Sequence, residues 1–255
     1  MRLVNRQMEM LQSDQTCCTV KETVREKYDA IARGERDCGC RMVDEFAYQD
    51  TPGYQVEADL GLGCGTPVDY ADLKSGETVL DLGSGAGLDA MIAAPLVGKK
   101  GKVLGVDLAP SMVAKAKENA MAVEMDNTFF QEGDIEDLPI QDASIDVVIS
   151  NCTLNLVPDK EKAYSEIARV LRPGGRFIIS DVVTVGNPDP GLIRKAEEAA
   201  GCVAGAAERD AYLELIAQAG FTEPEVVRFR PLEIINKQDG LASLTIRARR
   251  QSQDF

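Results

Sequence analysis

From residue 78 onward, short apolar segments alternate with segments of helical spacing, and that alternation restricts the fold more than any other feature of the chain. TVLDLG (78–83) reads as a short buried strand, and KVLGVDL (102–108), TFFQEGDI (128–135), SIDVVISN (144–151) and GRFIISDVV (175–183) read as four more strands. Between them, LDAMIAAPLVG (88–98), APSMVAKAKENAMAV (109–123) and EKAYSEIARVL (161–171) carry apolar residues three or four apart. Strands that alternate with helices predict a parallel sheet covered on both faces. A helix over 209–219 follows, stopped by Gly220. The segments EVVRFRPLEII (225–235) and ASLTIRARR (242–250) flank Asp239-Gly240 and predict an antiparallel hairpin.

The region before residue 75 is less regular. VKETVREKYDAIAR (20–33) has helical spacing, and residues 34–67 mix Gly, Cys, Asp and Pro in the manner of a loop. A loop of that length inside a compact domain is usually functional. Pro158 and Asp159 mark a helix start with Asp159 as the cap, and Lys160, Glu161 and Lys162 read as a solvated face.

The predicted sheet edge collects polar groups. The first strand runs into Asp81-Leu82-Gly83-Ser84-Gly85-Ala86-Gly87, where glycines let the backbone turn sharply against a ligand. The spacing is G-x-G-x-G rather than the dinucleotide G-x-G-x-x-G. Asp81 before the loop would repel a diphosphate and attract a cationic amino-acid or sulfonium group. Asp107 ends the second strand, where it can accept from ribose hydroxyls. Asp134 follows the third strand, placed to accept from an adenine amino group while Ile135 packs on the ring. Asn151 ends the fourth strand and either meets the cofactor's amino-acid end or caps a turn. Met112 either touches adenine or packs in the core.

Charge and composition exclude several classes. The formal net charge of −14 argues against a phosphate-binding surface for nucleic acid. No apolar run is long enough to span a bilayer, and the start MRLVNRQMEM lacks the apolar core of a signal peptide, so a cytoplasmic protein with no membrane partner is expected. There are no histidines, which removes the commonest general base and the commonest zinc ligand. Seven cysteines in such a chain are expected to be reduced. Cys64, Cys152 and Cys202 each have small or loop-forming neighbours, and Cys152 directly follows the fourth strand. The competing reading of each is a small buried hydrophobe.

DLGSGAG, GVDL, GDIEDLP and LRPGGRFIISD stand in the order and approximate spacing found in class I S-adenosylmethionine-dependent methyltransferases. The chain resembles that family over about 74–182 and, with the last helix and hairpin, to its C-terminus. The resemblance implies a Rossmann-like α/β fold: a seven-stranded, mostly parallel sheet with an antiparallel C-terminal hairpin. It implies S-adenosylmethionine at the C-terminal strand ends, on Asp81, Gly83, Ser84, Gly85, Gly87, Asp107, Leu108, Met112, Asp134, Ile135 and Asn151.

SNCTLNLVPDKE, GCVAGA and LGCGTP resemble the arsenite S-adenosylmethionine methyltransferases more narrowly. That resemblance implies arsenite or methylated trivalent arsenicals as substrate, held by the thiolates of Cys64, Cys152 and Cys202, with no structural metal. It also implies a redox partner for Cys64 in the N-terminal loop, at Cys38 or Cys40, and a thiol reductant such as thioredoxin or glutathione. Adjacent cysteines rarely form an ordinary disulfide, so Cys17 and Cys18 stay unassigned. Many relatives carry a further C-terminal domain that is not expected here. The expected division is an N-terminal helix and loop extension over 1–73 carrying substrate-side cysteines, then a methyltransferase domain over 74–255 with a substrate-binding insertion at about 183–209. Two other readings compete: an O- or C-methyltransferase of a small metabolite, which needs a base and tolerates Cys152→Ser, and a non-catalytic thiolate module that binds a metal or metalloid.

Overall fold

The structure, a computed structural model, describes residues 19–36, 48, 51–186, 191, 203, 205–232 and 240–251. Seven strands form one sheet: β1 (Thr78–Leu82), β2 (Lys102–Asp107), β3 (Thr128–Glu132), β4 (Ile145–Asn151), β5 (Leu171–Thr184), β6 (Glu225–Leu232) and β7 (Leu241–Arg249). Their order across the sheet is β3-β2-β1-β4-β5-β7-β6. β1 to β5 pair in parallel, and β7 runs antiparallel to both β5 and β6. The alternating pattern therefore does give the expected seven-stranded, mostly parallel sheet with an antiparallel C-terminal pair.

Helices cover both faces. α1 spans residues 19–32, and α2 (Leu88–Val97), α3 (Pro110–Ala122), α4 (Lys160–Val170) and α5 (Arg209–Gln218) follow. Neighbouring residues in a strand point to opposite faces, which divides the core in two. Val79, Val147, Ile149 and Ile178 pack with Ile92 and Ala93 of α2. Leu80, Val148, Phe177 and Ile179 pack with Tyr164 and Ile167 of α4 and Ile216 of α5. Asp159 caps α4 as expected: its side chain accepts the backbone N–H of Lys162 at 2.9 Å.

Two local expectations fail. β5 begins at Leu171, not at Gly175. Ile145 pairs with Leu171 and Val147 with Arg176, so Arg172–Gly175 stand opposite Asp146 alone and bulge outward. Lys160 does not belong to a solvated face. Its Nζ donates to the Val157 carbonyl at 3.3 Å; burial lowers its pKa, and the charge of Asp181 partly offsets that.

The sheet reverses connection order at β1, which has β2 on one side and β4 on the other. In open α/β sheets, that reversal opens a crevice beyond the carboxyl ends of the strands. Arg176 ties the segment before β1 to the sheet. Its guanidinium donates to the carbonyls of Ala71 and Asp72 and to Glu77.

Candidate active site

The crevice at those strand ends holds about 1120 Å³ of space between atoms, open solvent included. Its floor is the loop after β1. Gly83 and Gly85 adopt left-handed backbone angles, with φ of 67° and 52°. A Cβ on Gly83 would collide with Thr153, whereas one at Gly85 would meet nothing within 4 Å. Glycine at 83 therefore admits the neighbouring loop, and glycine at 85 leaves the floor bare.

Five aspartates line this space: Asp59, Asp81, Asp89, Asp107 and Asp134. Asp81 is buried, and its Oδ2 has no hydrogen-bond partner. Burial raises its pKa well above the usual range, and Asp89 and Asp107 add to the effect. An orphaned carboxylate oxygen in such a setting fits a cationic group. Asp107 accepts the N–H of Ala109 on Oδ1 at 2.9 Å and that of Gly85 on Oδ2 at 2.8 Å. It thereby staples the glycine loop to β2, and each oxygen keeps a lone pair for a hydroxyl. Asp134 accepts the N–H of Glu136 at 2.9 Å and takes Lys21 Nζ on Oδ2 at 2.7 Å.

Asp89 was not found from the sequence. It is the one charged residue in α2, LDAMIAAPLV, and sits in that helix's first turn. Its Oδ1 accepts the Tyr48 hydroxyl at 2.6 Å and its Oδ2 accepts Asn151 Nδ2 at 3.0 Å. Burial pushes its pKa up to about 6, and the hydrogen bonds from Tyr48 and Asn151 oppose that rise. A lone acid on an otherwise apolar helix was the available signal.

α1 closes one side of the crevice with Lys21, Val24, Arg25 and Tyr28. Lys21 bridges Asp134 and Glu136, reaching the latter at 2.6 Å. Burial pulls its pKa down, but hydrogen bonds and charge from both acids outweigh that and raise it. Asp29 accepts the N–H of Ser111 at 2.8 Å and fastens the helix to the start of α3. This lining was not read from the sequence either.

Of the remaining expected cofactor residues, Ser84, Leu108, Ile135 and Asn151 line the crevice, whereas Gly87 and Met112 do not. Gly87 lies against Phe130 and Ala116. Met112 is fully buried in a small apolar cluster with Ile31 and Ala109.

The cysteines are placed in part. Cys64 is fully buried, and its Sγ lies 3.5 Å from the Ser180 carbonyl oxygen. Cys152 lines the crevice, has φ of 62°, and donates its N–H to that same oxygen at 2.7 Å. A left-handed residue other than glycine, asparagine or aspartate is strained, and such strain clusters at functional sites. Both cysteines belong to one apolar cluster with Val182 of β5, Val203, Leu232 and Leu241. Val203 directly follows Cys202 in the chain. A Cβ on Gly205 would collide with the carbonyl of Asn155, so the segment after Cys202 is pressed against the loop after Cys152. Cys202 itself, with Cys17, Cys18, Cys38 and Cys40, lies outside the described residues.

Residues 73–220 match the family model for a methyltransferase domain. The chain is 40% identical to the arsenite methyltransferase of Halobacterium salinarum, over 92% of this chain and 67% of that protein. It belongs to the arsenite methyltransferase family. The arsenite methyltransferase of Aquipseudomonas alcaligenes is 39% identical over 68% of this chain and 51% of its own length. The chain thus spans two thirds of one curated relative and about half of the other. The crystal structure of an arsenic(III) S-adenosylmethionine methyltransferase from Chlamydomonas reinhardtii superposes with a TM-score of 0.65 and 31% identity, covering 85% of this chain and 74% of that one. The class I methyltransferase fold expected from the family's motifs is the fold observed.

Proposed function

We propose that this chain transfers the methyl group of S-adenosylmethionine to trivalent arsenic held by Cys64, Cys152 and Cys202, as a cytoplasmic arsenic-detoxifying enzyme. The observation that carries the reading is the gathering of Cys64 and Cys152 around one carbonyl, that of Ser180, with Cys152 on the wall of the crevice. Family membership supports the reaction class. Residues 1–73 act, on this reading, as the substrate-side extension, and about 183–209 as the substrate-binding insertion of the 74–255 domain.

S-adenosylmethionine supplies an electrophilic methyl on a sulfonium sulfur. The chain's own groups fit it. Asp81 Oδ2 would receive the ammonium of its amino-acid end, Asp107 its ribose hydroxyls and Asp134 its adenine amino group, with Ile135 against the ring. Thiolates are soft, strongly donating ligands that suit trivalent arsenic. Three of them leave the metalloid with a lone pair that can attack the methyl carbon as the carbon–sulfur bond breaks. The attacking atom carries no proton, so a chain without histidine needs no general base. Its contribution is orientation of two bound partners, which supplies up to about 7–11 kcal/mol in well-oriented model systems.

Transfer leaves the arsenic formally pentavalent. Two electrons restore the trivalent state, and Cys64 with Cys38 or Cys40 supplies them by closing a disulfide that thioredoxin or glutathione reopens.

A methyl-transfer assay with arsenite, S-adenosylmethionine and a thiol tests the function. Arsenite-dependent release of S-adenosylhomocysteine is expected in the wild type and lost in Cys64→Ser, Cys152→Ser and Cys202→Ser. Undiminished turnover in Cys152→Ser overturns the reading and favours an oxygen or carbon acceptor.

A further inference from the structure

We propose that Asn151 is a positioning residue that couples occupancy of the cofactor crevice to the seating of the loop that carries Cys64. This rests on the reading of the crevice as an S-adenosylmethionine site.

The side chain of Asn151 does not cap its own turn. Its Oδ1 accepts the N–H groups of Cys64 at 3.0 Å and Gly65 at 3.2 Å. Its Nδ2 donates to the Gly65 carbonyl at 2.8 Å and to Asp89 Oδ2 at 3.0 Å. These four bonds use the full capacity of a carboxamide. Three of them hold one loop, and the fourth reaches into the crevice. Reversing the amide would set its oxygen against the Asp89 carboxylate and its N–H groups against two N–H donors, so the orientation is determined from both sides.

The loop lies close against both neighbours. A Cβ on Gly63 would come within 2.8 Å of Asn151 Nδ2, and one on Gly65 within 2.6 Å of the Ser180 side chain. Glycines flanking Cys64 let its backbone lie between Asn151 and Ser180. Cys64 is anchored further by its carbonyl, which accepts the Ser243 hydroxyl at 2.6 Å, and by its Sγ beside the Ser180 carbonyl.

Asp89 shares the crevice wall with Asp81. Two buried carboxylates side by side do not both ionise readily without a cation. Both Asp89 oxygens already accept, from Tyr48 and Asn151, as a carboxylate does. A cofactor bearing ammonium and sulfonium charges supplies the missing cation, offsets the repulsion from Asp81 and holds the Asp89 carboxylate, with its charge-assisted bond to Asn151, in place. The loop carrying Cys64 is then held more tightly when the methyl donor is in place. By linkage, a seated loop holds the donor more tightly in return.

The test reads Cys64 directly and needs no arsenic. Each protein is exposed to N-ethylmaleimide, and modification of the Cys64 peptide is followed by mass spectrometry. Saturation with an analogue bearing an amine at the sulfonium position is expected to slow modification of wild-type Cys64 by at least about tenfold, within the usual range of coupling between sites. S-adenosylhomocysteine, neutral at sulfur, is expected to protect less. In Asn151→Ala, saturation is expected to change the rate by less than about twofold. Asp89→Asn still offers an oxygen to Asn151 Nδ2, so its cofactor-free rate should match wild type while its protection is largely lost. That isosteric variant keeps the proposal testable if Asn151→Ala fails to fold. Tenfold protection persisting in either variant means the ligand shields Cys64 directly and overturns the coupling. Saturated binding to wild type without protection also overturns it. No binding of either analogue to wild type overturns instead the reading of the crevice.

Discussion

Gly205→Ala tests whether the segment after Cys202 must press against the loop after Cys152. A Cβ at position 205 lies 2.8 Å from the carbonyl carbon of Asn155, and closer still to its oxygen. Unstrained carbon contacts begin near about 3.5 Å, so the segment must withdraw by about 1 Å or more. The obstacle is backbone, which no rotamer change relieves. Asn155 is itself held, because its Nδ2 donates to the Val182 carbonyl at 2.7 Å. A displacement of about 1 Å at a positioned group can cost roughly 10²-fold in rate. Gly205 does not line the crevice, so affinity for S-adenosylhomocysteine should stay within about threefold, a change of under 1 kcal/mol. Ligand chemistry sharpens the assay. Arsenite has three exchangeable positions and needs three thiolates, whereas phenylarsenite has two and needs a pair. In the variant, calorimetric titration should show arsenite affinity falling by about tenfold or more while phenylarsenite affinity changes little. Turnover equal to wild type, or an equal loss of both arsenicals and cofactor, refutes the reasoning.

Other perturbations follow from the packing and charge. Asp181 is fully buried, accepts the Tyr212 hydroxyl at 2.7 Å, and has its pKa pushed up to about 7 by burial, against the opposing effects of Tyr212 and Lys160. Its folded pKa exceeds its unfolded one, so the penalty is absent below about pH 4, grows as pH rises toward 7 and then levels off. Asp181→Asn should therefore gain stability relative to wild type with rising pH, by a few kcal/mol at most at pH 8; denaturant melts at pH 5 and 8 with no change in that difference contradict it. Phe221 packs edge-on to Phe177 with ring centroids 4.9 Å apart, and its replacement by Ala should cost about 3–5 kcal/mol in urea unfolding. Lys21→Met leaves Asp134 and Glu136 without their shared ammonium, and the cofactor's dissociation rate should rise by about threefold or more in stopped-flow measurements as α1 loosens over the crevice.

Much of this architecture was legible in the chain. Strands buried on both faces read as unbroken apolar runs, and their alternation with helices determined the sheet. Asp81, Asp107 and Asp134 could be assigned to one edge because each lies within two residues of the C-terminal end of a strand. Cys152 was legible for the same reason. What escaped notice depends on contacts between distant segments. Nothing local to Asn151 says that its amide serves Cys64 and Gly65 rather than its own turn. Lys21 looks like an ordinary polar position of an amphipathic helix until Asp134 and Glu136 are placed beside it. Met112 follows the expected helix start, yet helix rotation turns it toward Ile31 and away from the crevice. The expected strand began only at Gly175 because Pro173 and Gly174 are turn residues, and pairing with β4 on either side of the bulge extends β5 back to Leu171.

The central claim concerns the atoms that surround the substrate, and X-ray absorption at the arsenic edge reads them directly. With arsenite bound in the presence of S-adenosylhomocysteine, the account predicts a first shell of three sulfurs and no oxygen, with one sulfur lost in Cys152→Ser. A shell containing oxygen in the wild type, or one unaltered by Cys152→Ser, contradicts it.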